Sequence, residues 1–111
     1  MRVSIQMSDP WDLGESIGWA PLLGAVVQVP KDDQGNCDLI RLDAPVSWKG
    51  EQWRYIAAGP RHAGTKISTL KLGTELHCGM IGVTDDEAQN GSAWVSRPRS
   101  KFYLIGTVRR L

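Results

Sequence analysis

Apolar and polar residues alternate one by one along most of this chain, and that period of two is what a strand with one buried face requires. Val3, Ile5 and Met7 alternate with polar neighbours and predict a first strand. Leu22 to Val29 is rich in β-branched residues and predicts a second. The polar run Pro30 to Asn36 then turns the chain, and Cys37 to Asp43 returns as its hairpin partner. Val46 to Trp48 and Trp53 to Ala58, separated by Lys49-Gly50-Glu51-Gln52, predict a second hairpin. Strict alternation on its later strand puts Trp53, Tyr55 and Ala57 on one face and Arg54, Ile56 and Ala58 on the other.

Further on, Ile67 and Leu70 are three apart and suit a single helical turn that Gly73 stops. Glu75 to Val83 predicts another strand, and the acidic stretch from Thr84 to Gly91 a loop. Trp94-Val95 suits a short edge strand. Lys101 to Leu111 closes the chain, with Phe102, Leu104 and Val108 on one side. Near the start, Asp9-Pro10 with Gly14 and Gly18 marks a loop that has room for one capped helical turn.

The expectation is therefore an all-β fold of about six to eight strands with at most one or two short helical turns. Residues 1–111 suit one globular domain. Open sheet edges invite aggregation, so such a chain closes into a small, partly open barrel of SH3-like or OB-like kind, or packs as a compact sandwich. The longest apolar run, Leu22 to Val27, is far below the ~18 residues of a membrane span. The alternating N-terminus lacks the apolar core of a signal peptide, so a soluble, cytoplasmic protein with no membrane association is expected.

Few residues suit catalysis, and none is assigned to it. His77 and Cys78 are adjacent, but on a strand they face opposite sides and share neither a metal nor a proton. Two cysteines and two histidines without ligand spacing point to no metal and no cofactor. The two thiols, Cys37 and Cys78, are expected to be reduced and buried. The acidic pairs at Asp32-Asp33 and Asp85-Asp86 suit solvated turns.

Gly59 to Lys66 reads G-x-x-x-x-G-T-K. A nucleotide-hydrolysing P-loop needs the lysine before the hydroxyl and a long helix after it, and this segment has neither. Arg61, His62 and Lys66 remain as an anion-binding candidate in a glycine-rich loop.

Two further features point to a partner. Of five tryptophans, Trp11 and Trp19 fall in the first loop, where they would form a recognition surface. Charge is divided: residues 1–48 carry three basic and seven acidic side chains, and residues 49–111 ten basic and five acidic. Arg97, Arg99 and Lys101 fall on one side of an extended stretch and suit either a protected sheet edge or a phosphate-contacting stripe. The leading expectation is a small binding module that engages a protein partner through loop tryptophans. Nucleic-acid binding through the basic C-terminal half is the alternative. A small enzyme acting on an anionic substrate at residues 59–66 is the third.

Overall fold

The computed structural model describes residues 1–8, 21–27, 37–48, 51–61, 66–89 and 103–111. Six strands run in chain order: β1 Arg2–Met7, β2 Leu22–Val27, β3 Asp38–Trp48, β4 Glu51–Pro60, β5 Glu75–Val83 and β6 Tyr103–Arg110. Each pairs antiparallel with its neighbour, and β1 pairs with β6, so the sheet is a closed barrel in up-and-down order. The fold is thus the expected small all-β barrel, but the ring is complete rather than partly open. Closure satisfies the outer edges of β1 and β6, which would otherwise present unpaired backbone. Among the described residues the helical content is one 3-10 turn, Ile67–Thr69, and one short helix, α1, Asp85–Gln89. No helix among them is long and apolar enough to cross a membrane.

The alternation read in the sequence builds the interior. Val3, Ile5 and Met7 of β1 are buried and pack with Ile40, Ile56, Cys78, Met80 and Val108 in one core. Burying each of the larger aliphatic side chains stabilises the barrel by roughly 1.5–3 kcal/mol. Two glycines let the walls close around it. A Cβ at Gly24 would stand 2.6 Å from the Arg41 carbonyl oxygen, and one at Gly106 2.5 Å from that of Gln6.

One expected face assignment is corrected. Trp53 is buried in the same interior cluster as Ile56 and Ala58, whereas Tyr55 and Ala57 belong to a second cluster. The β3–β4 ladder is irregular at this point. Arg41 pairs with Tyr55 and Val46 with Trp53, so five steps along β3 match two along β4. β3 keeps its alternation through the irregularity, with Ile40, Leu42 and Val46 all inward, so the break falls on β4 between Trp53 and Tyr55 and turns Trp53 inward. The two predicted strands, 37–43 and 46–48, are joined in the single β3.

The second cluster lies on the other face of the sheet from the interior. Leu39 pairs with Ala57 and Ala57 with Ile81, and Val83 and Ala88 complete the cluster. Ala88 comes from α1, where a loop was expected. The Thr84 hydroxyl accepts the Glu87 N–H at 3.2 Å, and the Glu87 carboxylate accepts the Thr84 N–H at 3.0 Å. That reciprocal pair is a capping box, and it starts the helix despite three consecutive acidic residues. Acidic side chains in a first turn also suit the helix dipole.

Candidate functional site

β1, β3 and β5 begin at the same end of the barrel, and β2, β4 and β6 finish there. The 3-10 turn lies across this end. Ile67 is fully buried and Leu70 nearly so, and both pack into the interior core. Two side chains tie the turn to the wall. The buried Asp38 carboxylate at the start of β3 accepts the Ser68 N–H at 3.1 Å. The Arg110 guanidinium at the end of β6 donates to the Leu70 carbonyl at 2.7 Å. Asp38 was not singled out in the sequence. Its position just before the apolar pair Leu39-Ile40 gives little sign that it receives a turn thirty residues away.

The same end gathers basic side chains. Arg61 follows β4, where its N–H extends the ladder by donating to the His77 carbonyl at 3.0 Å, and its side chain is exposed. Lys66 precedes the 3-10 turn and is half-buried; Lys71 follows the turn and is exposed. Arg109 is exposed opposite Glu75 on β5. Arg2 at the start of β1 holds Asp43 through two guanidinium bonds, one of 2.7 Å, which keeps the Asp43 carboxyl below the usual carboxylate range. At the opposite end stand Glu51, Asp85, Asp86 and Glu87, with Arg54 4.0 Å from Asp85.

Arg61 and Lys66, two members of the anion-binding candidate, are therefore brought to one end of the barrel. His62 lies outside the described residues. Trp11, Trp19, Arg97, Arg99 and Lys101 also lie outside them, as do Trp94 and the Trp48 side chain. Trp53 belongs to the core. Lys66 leads into a turn of three residues, not the long helix of a P-loop.

His77 is exposed and Cys78 fully buried, so the two do face opposite sides. Burial pushes the Cys78 thiol up to about 12, and its neighbours Cys37 and Asp38 raise it further. Such a thiol is a packing group rather than a nucleophile. Cys37 and Cys78 are not joined in a disulfide. β4 runs between them, and two strand spacings of about 4.8 Å exceed the ~7 Å that a disulfide spans. Among the described residues, no three His, Cys, Asp or Glu side chains gather to hold a metal ion.

Apolar surface accompanies the charge. Leu72 is 73% exposed and Leu111 50%. Gly73 N–H donates to the Arg110 carbonyl at 2.9 Å, so each leucine is one residue from a bond that joins the turn to β6. Neither leucine stood out in the sequence, where both sit among polar residues. No protein-family model, curated protein or solved structure matches the chain.

Proposed function

We propose that this barrel is a binding module that engages a protein partner bearing an acidic surface. The observation that carries the reading is that, among the described residues, Arg61, Lys66, Lys71, Arg109 and Arg110 gather at one end with Glu75 opposite Arg109, while Glu51, Asp85, Asp86 and Glu87 stand at the other beside Arg54. Opposed charge on two ends orients an approaching partner and raises its encounter rate. Arginine beside exposed apolar side chains is the composition that protein interfaces favour. The inert thiol and the apolar interior suit recognition at the surface.

Binding of fluorescent polyglutamate, measured at two salt concentrations, tests this. Saturable binding that weakens with salt is expected. Lys71→Glu with Arg109→Glu should weaken it about tenfold or more, whereas Arg54→Glu at the opposite end should leave it within about twofold. Equal loss in both variants, or no binding at low salt, contradicts the reading. Tighter binding of an oligothymidylate of equal charge would assign the surface to nucleic acid instead.

A further inference from the structure

Leu72 is the most exposed of the large apolar side chains in the described residues. Single exposed leucines are ordinary on protein surfaces. This one differs because the backbone beneath it is held from both sides. Thr74 donates twice to the Lys71 carbonyl, from its N–H at 3.0 Å and from its hydroxyl at 2.6 Å. Gly73 donates to Arg110, and Arg110 in turn donates its own N–H to the Thr74 carbonyl at 2.9 Å. Gly73 takes φ 78°, a conformation that side-chain-bearing residues rarely adopt. The turn is thereby fixed against β6, with Leu72 at its tip between Lys71 and the Gly73 bond.

A side chain presented on a fixed turn loses little freedom on docking. We infer that Leu72 is the apolar anchor of the basic end, and that its ligand is an acidic protein segment carrying apolar side chains. Its carboxylates meet Lys71, Arg109 and Arg110, and an apolar side chain covers Leu72. This deepens the reading of the basic end as a protein-binding surface and rests on it. Charge complementarity names the acidic character of the segment, and the leucine names its apolar part. A single-stranded nucleic acid would instead favour rings on which bases stack, which a leucine does not offer.

Two synthetic peptides of equal length and equal glutamate content separate the two claims, one with serine spacers and one with leucine spacers. The wild-type chain should bind the leucine peptide about tenfold more tightly, a preference of the size one well-covered aliphatic side chain supplies. Leu72→Ser should remove the preference while leaving the serine peptide's affinity unchanged, and Leu72→Met should keep it. If both peptides bind the wild type equally, or if the preference survives Leu72→Ser, the anchor role is overturned and the basic surface stands. If neither peptide binds, the basic surface falls as well.

Discussion

The Arg110 guanidinium donates to the Leu70 carbonyl across 2.7 Å, and the Arg110 backbone holds Gly73 and Thr74 by two further bonds. One residue of the last strand therefore fixes both the turn that closes the barrel end and the tip that presents Leu72. Arg110→Met keeps the length of the side chain and removes the donor. The variant should lose about 1.5–2 kcal/mol of stability in urea, the lower part of the range for a charged hydrogen bond because the site is part-exposed. The backbone bonds to Gly73 and Thr74 should persist, so slow amide exchange at Gly73 is expected in wild type and variant alike.

Asp38 holds the same turn from the opposite wall. Its carboxylate is buried and accepts the Ser68 N–H. Removing the acceptor takes away the side-chain partner of the Ser68 N–H. Asp38→Ala should cost about 1–3 kcal/mol, and Asp38→Asn should recover much of it, since the amide oxygen can take the same bond. Ile67→Ala should cost about 2–4 kcal/mol, because the side chain is fully buried in the interior core and leaves a cavity at its mouth. Equilibrium unfolding curves compare all three.

Closure of the ring depends on Gly106. A Cβ there meets the Gln6 backbone oxygen at 2.5 Å and the end of Met80 at 3.1 Å. Met80 can move aside, but the β1 backbone yields only by opening the β1–β6 pairing. Gly106→Ala should therefore destabilise by about 2–3 kcal/mol. Gly73→Ala, which has open space but an unfavourable φ, should cost only about 1–2 kcal/mol. Thermal melting would rank the two, and the reverse order would contradict the close packing at the seam.

Cys78 gives the barrel a dependence on alkaline pH. Its thiol moves from an ordinary value near 9 up to about 12 on burial. Between those values the folded chain keeps a proton that the unfolded chain has released. Stability contributed by this group is complete below about pH 9 and declines as pH rises through the window. Cys78→Ala should flatten that decline in urea midpoints measured from pH 8 to 11. In the native protein, a thiol reagent at pH 8 should leave Cys78 unmodified until the chain is unfolded.

Much of the barrel is legible in the chain because its chemistry is local. Val3, Ile5 and Met7 announce an inward face by spacing alone, and the pairing of β2 with β3 is marked by the polar run Pro30 to Asn36 in the sequence between them. The inward turn of Trp53 is not legible on β4, because it follows from an irregularity in the pairing of β3 with β4 that strict alternation does not anticipate. α1 is hidden in the sequence for a different reason. The run Asp85-Asp86-Glu87 draws attention as charge, while the signal lies in Thr84 and Glu87 at capping-box spacing. The basic end is only half legible. The C-terminal half is visibly basic, but Lys71 and Arg109 meet at one end only through the antiparallel order of β4, β5 and β6.

Residue-resolved chemical shifts recorded during a titration with polyglutamate at low salt would locate the binding surface without any substitution. Saturating shifts are expected at Arg61, across Lys66 to Thr74, and at Arg109 to Leu111, all reversed by added salt, with residues 84–89 unmoved. Shifts confined to the α1 end, or spread evenly over the barrel, would contradict binding at the basic end.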